Sequence, residues 1–198
     1  MKVGAPPLLP LLRSQVQGDM LALLYLHPEA SYSLTEIARR LGRSVPGVRN
    51  EVERLVKAGF LHDRRIGNVR QVSAATDSPI YRPLTHLLLV TFGPKQVLAD
   101  LLAARDDVDE AYIYGSWAAR YIGESGPIPN DIDVLVVGDA NRDDLDEAAR
   151  QAQQALDRPV NITRLRRTAW TSPEPQPFVS AVRSGPLVPL LDDRENAE

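Results

Sequence analysis

Asp131 and Asp133 stand two residues apart at the head of the apolar run DIDVLVVG. On an extended strand, residues i and i+2 project from one face, so the two carboxylates would sit side by side. Such a pair repels itself and is costly to desolvate unless something neutralises it. Mg²⁺ does so when phosphate oxygens complete its ligand set. Upstream, the run AYIY ends in Gly115-Ser116, where a helix is expected to begin and run through Tyr121. Glycine lets backbone approach a phosphate closely, and a hydroxyl with the amides of a first helical turn suits an anion. Arg120, four residues after Ser116 on the same helix face, is placed to reach a triphosphate. Two metal ions would align an attacking hydroxyl, the α-phosphate and the pyrophosphate leaving group. The plain alternative is a turn glycine and a surface acid pair.

The elements that must position these groups are legible from periodicity. From residue 106 onward, AYIY and DIDVLVVG read as strands, the second with an unbroken apolar run and therefore central. RDDLDEAARQAQQAL is an acidic amphipathic helix, RPVNIT a short strand, and EPQPFVSAVRSG ends as a helix. That alternation is α/β. The first half reads differently. SQVQGDMLALLYLH carries a helical apolar stripe. Ser33 to Glu36 is a capping box opening the helix LTEIARRL, which Gly42 closes. Ser44 caps the next helix, with Pro46 in its first turn and Val45, Val48, Val52, Leu55 and Val56 on its buried face. LHDRRIGNVRQVSAA makes two strands around Gly67-Asn68. PLTHLLLVTF and KQVLADLLAAR read as helices after Pro83 and Pro94.

Composition narrows the partners. The 198 residues suffice for one large or two small domains. There is no cysteine, and His27, His62 and His86 are the only histidines, so disulfides are excluded and zinc chemistry is disfavoured. No apolar run is long enough to span a bilayer. The proline-broken start MKVGAPPLLPLL lacks a cleavage site, so a cytoplasmic location is expected. Charge is unevenly spread. Residues 1–105 hold 14 Lys+Arg against 8 Asp+Glu, and residues 106–198 hold 9 against 18, giving +6 and −9. The basic half suits nucleic acid; the acidic half repels it unless metal ions intervene.

Residues 14–75, through SLTEIARRLGRSVPGVRNEVERLVKAGFL, resemble a winged helix-turn-helix domain of the ArsR and MarR type. The resemblance implies that helix 45–58 enters the major groove of duplex DNA. Arg43, Ser44, Arg49 and Asn50 would then contact it, Arg49 suiting guanine and Asn50 adenine, or either of them phosphate. Arg64, Arg65 and Arg70 would serve at the wing. Glu51 and Glu53 interrupt the basic stripe. Winged helices often pair, and the apolar helices at 84–104 offer a seam, so a homodimer is expected.

Residues 106–165 resemble the nucleotidyltransferase fold of the DNA polymerase β superfamily. Its minimal members carry Gly-Ser at a strand-to-helix turn and Asp-x-Asp on the next strand, here Gly115-Ser116 and Asp131-Ile132-Asp133. That implies catalytic, metal-holding roles for Asp131 and Asp133, two Mg²⁺ ions, and nucleotide binding by Gly115, Ser116 and Arg120. It also implies transfer of an NMP from an NTP, ATP foremost, to a hydroxyl acceptor, which in toxin–antitoxin relatives lies on a partner protein. Two departures stand out. Fourteen residues separate Ser116 from Asp131, toward the long side of the pattern. The strand that should bring a third carboxylate, as general base, brings Asn161 instead, and an amide takes no proton at neutral pH. The chain is therefore read as α/β (α+β overall), with a winged helix-turn-helix over 1–82, linking helices over 83–105 and a nucleotidyltransferase-fold domain with a small mixed sheet over 106–198. The competing reading is a regulator whose back domain senses nucleotide or a partner without turnover.

Overall fold

The computed structural model describes residues 12–103 and 105–191, in two compact units that meet in sequence at Gly93-Pro94. The first unit starts with α1 (Gln15–Tyr25), capped by Ser14, whose hydroxyl accepts from the Gln17 N–H. β1 (Tyr32–Ser33) leads directly into α2 (Leu34–Arg40). The capping box forms: the Ser33 hydroxyl accepts from the Glu36 N–H, and the Glu36 carboxylate accepts from the Ser33 N–H at 2.7 Å. These bonds hold the Glu36 carboxyl below its ordinary range. α3 (Val45–Lys57) is capped by Ser44 and buries Val48, Val52 and Leu55, each contributing roughly 1.5–3 kcal/mol by leaving water.

β2 (Leu61–Ile66) and β3 (Val69–Ala74) form an antiparallel hairpin in the register Ile66↔Val69 to Leu61↔Ala74. Gly67 opens its two-residue turn with φ +59°, a value suited to glycine at the first central position of a II′ turn. The sheet order is β1-β3-β2, with Tyr32 opposite Val72. β1 has no counterpart in the sequence reading, because two residues carry no periodicity. α4 (Tyr81–Phe92) packs on α1. Buried Tyr25 joins the hairpin base, donating its hydroxyl to the Phe60 carbonyl at 2.8 Å.

The second unit begins with α5 (Pro94–Ala103). The helices expected to form a common linker over 83–105 therefore divide between the units: α4 lies on α1, and α5 on the strands and helix of the second unit. Next come β4 (Val108–Tyr114), α6 (Gly115–Tyr121), β5 (Ile132–Gly138), α7 (Arg142–Leu156) and β6 (Val160–Leu165). α8 (Arg167–Trp170), α9 (Pro177–Ser184) and β7 (Val188–Pro189) complete it. The four strands make a mixed sheet of order β6-β5-β4-β7, in which β5 runs parallel to β6 and antiparallel to β4. β5 is central, and Val134, Leu135, Val136 and Val137 are all fully buried, as its unbroken apolar run requires.

Alternation assigns the two faces of β5. Asp133, Leu135 and Val137 share one. On it Leu135 and Val137 pack with Tyr112, Leu165, Trp170 of α8 and Val182 of α9. Ile132, Val134 and Val136 point the other way. α5 and α7 pack together and against β4 and β6, burying Leu98, Leu102, Leu145, Ala148 and Ala152. The acid pair thus opens on the α9 side of the sheet.

Candidate functional site

Asp133, at the start of β5, is paired across the sheet with Tyr114 on β4 and with Asn161 on β6. Asp131 precedes it by two residues and shares its face. The two carboxylates meet at Asn161. Its Nδ2 donates to Asp131 Oδ2 at 3.0 Å and to Asp133 Oδ1 at 3.2 Å. One amide thus supplies each carboxylate with one N–H, holding apart two charges that would otherwise repel. A hydrogen bond to a carboxylate is worth about 1.5–3 kcal/mol, less where water competes.

Gly115 completes the cluster. It has φ +67°, and a Cβ placed there would lie 3.2 Å from Asp133 Oδ2. Glycine is required twice over, for the left-handed turn out of β4 and for the room beside the carboxylate. Ser116 comes next, exposed at the start of α6. That helix has only seven residues and no side-chain cap bond. Its dipole is correspondingly small, so the Ser116 hydroxyl and the nearby N–H groups, rather than a long helix, are what an anion would meet.

Two further arginines shape the approach, one differently from the sequence reading. Arg120 does not join the cluster. Its Nη1 donates to the Glu124 carbonyl, and a Cβ on Gly126 would collide with its guanidinium, so it is wrapped in the loop after α6. Arg158, which sequence reasoning missed, is 6 % exposed and donates through Nη1 to the Pro129 carbonyl at 2.8 Å. With the Ile132 N–H on the Pro159 carbonyl at 2.9 Å, it ties the segment before Asp131 to the entry of β6. Arg158 lies just after Asp157, a left-handed C-cap with φ 52°. Among the described residues Asp157 is the one non-glycine residue with a positive φ, and nothing in the sequence announces it.

The donor set fits Mg²⁺ of the carboxylate-plus-phosphate kind: two oxygen-bearing side chains on one face, beside a backbone stripped of its Cβ. Among the described residues no three His, Cys, Asp or Glu side chains gather as a metal group. A cation here would take its remaining ligands from phosphate and water.

In the first unit, the basic candidates occupy two surfaces. Arg49 and Asn50 lie exposed in the first half of α3, with Arg43 and Ser44 just before it. Ser44 is committed as the cap. Glu51, expected to interrupt the basic stripe, is turned inward, 5 % exposed and ion-paired with Arg54. Glu53 remains at the surface, 3.8 Å from Arg70. Arg70 is also held by Asp63, Nε to Oδ2 at 2.7 Å, so its charge is answered within the hairpin. Arg64 and Arg65 are exposed and, being adjacent on β2, point to opposite faces. Of the helices expected to form a dimer seam, α5 buries Leu98 and Leu102 within its own unit, whereas α4 leaves Leu87 and Val90 exposed.

No family model matches the sequence, and no curated protein matches it either. No described helix is long and apolar enough to cross a membrane.

Proposed function

We propose that this chain is a DNA-binding protein whose C-terminal unit holds a magnesium–nucleoside triphosphate in a polymerase-β-type nucleotidyltransferase fold. The observation that carries the reading is the convergence of Asp131, Asp133 and Asn161 beside the left-handed Gly115. The start of β5 brings two carboxylates to Asn161 of β6, beside the glycine-opened turn that ends β4 and has a hydroxyl next to it. Asp131 and Asp133 would hold the cation, which neutralises polyphosphate charge when bound. Ser116 and the adjacent N–H groups would seat the phosphates. Gly115 leaves room for them against Asp133.

Asn161 sets the limit of the chemistry. It orients both carboxylates by donating to them, but accepts no proton from an attacking hydroxyl. The unit therefore binds nucleotide better than it transfers it, and the regulator reading draws on the same hydrogen bonds. Transfer of an NMP to a hydroxyl, on a protein or small molecule, is the second reading, favoured by the two intact aspartates. The first unit would read duplex DNA through α3, where Arg49 and Asn50 are exposed and Glu51 is withdrawn. Pairing of two copies would use the exposed Leu87 and Val90 of α4.

Isothermal calorimetry with ATP, with and without Mg²⁺, tests the nucleotide site. Binding that requires Mg²⁺ and disappears in Asp131→Asn/Asp133→Asn is expected. Negligible heat in both conditions would reduce the Gly-Ser turn and the acid pair to surface chemistry.

A further inference from the structure

The face of β4 that carries the proposed nucleotide site also carries an aromatic corner. Tyr114 is the last residue of β4, directly opposite Asp133 and two residues before Ser116. Phe178, in the first turn of α9, packs against it with ring centroids 5.9 Å apart and planes at 81°. α9 anchors itself through Val179 and Val182, both buried. Phe178 is not part of that anchor. The residue is 42 % exposed, and it meets Tyr114, the cross-strand partner of Asp133. A phenylalanine serving only the core would be covered, as Leu135 and Val182 are.

Resting on the nucleotide reading above, we infer that Tyr114 and Phe178 form the seat for the nucleobase. Paired strand residues lie about 5 Å apart, so the corner stands one strand away from Asp133 and beside the phosphate seat at Ser116. Two rings at a right angle suit a flat aromatic ligand, which can stack on the open face of one ring while meeting the other edge-on. Stacking of this kind accepts any base, because every base has a π-face. The site would thus fix the triphosphate by charge and the base by stacking, with little discrimination between purines.

The test separates base from phosphate in the full-length protein. Affinities for ATP and for inorganic tripolyphosphate, both with Mg²⁺, are measured by calorimetry for the native chain, Phe178→Ala and Phe178→Trp. Phe178 is exposed, so neither change should disturb folding, which unaltered circular dichroism and melting temperature would verify. ATP should bind Phe178→Ala about 5- to 100-fold more weakly, tripolyphosphate should bind it as before, and Phe178→Trp should restore or exceed native ATP affinity. Equal losses for both ligands, or no loss for either, would overturn the base seat while leaving the phosphate site standing. A native chain that binds neither ligand would remove the nucleotide reading itself.

Discussion

At Asn161, one side chain donates to both carboxylates, Asp131 and Asp133. The carboxylate pair is therefore calmed without metal, and under the proposed function the same amide leaves that position without a general base. Asn161→Asp should reverse both effects. Three adjacent carboxylates repel, so the metal-free variant should lose about 1–2 kcal/mol of stability, near the low end because the group is exposed. Mg²⁺ should recover that loss, and with ATP present transfer of label to an acceptor should rise. Melting temperatures with and without Mg²⁺ read the first effect independently of activity. A variant as stable as its parent without Mg²⁺, and indifferent to the ion, would show that Asn161 does not govern the pair. Two phenols set the alkaline limit. Burial raises the Tyr25 hydroxyl to about 12, with neighbouring Tyr81 adding to the rise, and burial raises Tyr121 as well, although the Lys95 N–H donates to it at 3.1 Å. Both folded values lie above the unfolded value of 10.0. The fold favours the neutral phenols, so their contribution is complete below pH 10 and is lost as pH rises through about 12. Melting temperature should stay level from pH 7 to 9 and fall beyond 10, with Tyr25 and Tyr121 ionising above the ordinary phenol value in an absorbance titration. Tyr25→Phe should shallow that fall.

Among the elements, α3 and the β2–β3 hairpin would, under the proposed function, divide the work of DNA contact differently from what their charges suggest. Arg49 has no acidic partner among the ion pairs of the described residues, whereas Arg70 is bound to Asp63 and lies near Glu53. Arg49→Ala should weaken duplex binding by about 1–3 kcal/mol if it reads a base. Arg70→Ala should cost hairpin stability more than affinity. Fluorescence anisotropy on a labelled duplex, alongside thermal melts, distinguishes them, and the reverse ranking would move the interface from the helix to the hairpin. The sequence made α3 legible because Ser44, Pro46 and a 3.6-residue apolar stripe all agree. It made β5 legible because the apolar run Val134–Val137 behind Asp133 has few other places to go. It hid β1 and α8, whose two and four residues are too short for any period, and it did not show what holds Arg120. Helical spacing does put Arg120 one turn beyond Ser116, but the loop that closes over it comes from residues 123–126, which sequence spacing cannot fold back. Arg158 was invisible for the same reason: its partner, the Pro129 carbonyl, lies 29 residues away. Glu51 reads as a surface acid in a basic stripe, although its spacing from Val48 and Leu55 already sets it on the buried face, where α3 holds it.

For the whole molecule, the division at Gly93-Pro94 gives charge a role that the net value of −3 conceals. Residues 1–93 carry 12 Lys+Arg and 7 Asp+Glu, a balance of +5, and residues 94–198 carry 11 and 19, a balance of −8. The first part has its own core in Met20, Leu24, Ile37, Val52, Leu61, Val72 and Leu88, and α4 ends at Gly93 with its N–H on the Leu89 carbonyl. Residues 1–93 should therefore melt cooperatively by themselves. Free of a tethered acidic unit, they should also bind duplex DNA more tightly than the full chain at low ionic strength. Repulsion between the acidic unit and DNA is screened beyond about 8–10 Å at physiological salt, so the two affinities should converge as salt is raised. Each should fall steeply with salt through counterion release. In the full chain, Mg²⁺ with ATP at the proposed site would add positive and negative charge together, so it should alter DNA affinity far less than removal of the unit does. Titrations of both proteins against one duplex at about 50 and about 200 mM salt measure the gap. Affinities that agree at low salt would mean that the acidic unit lies too far from the bound DNA to be felt. A fragment that fails to melt cooperatively would mean that the first unit depends for its folding on residues beyond Gly93.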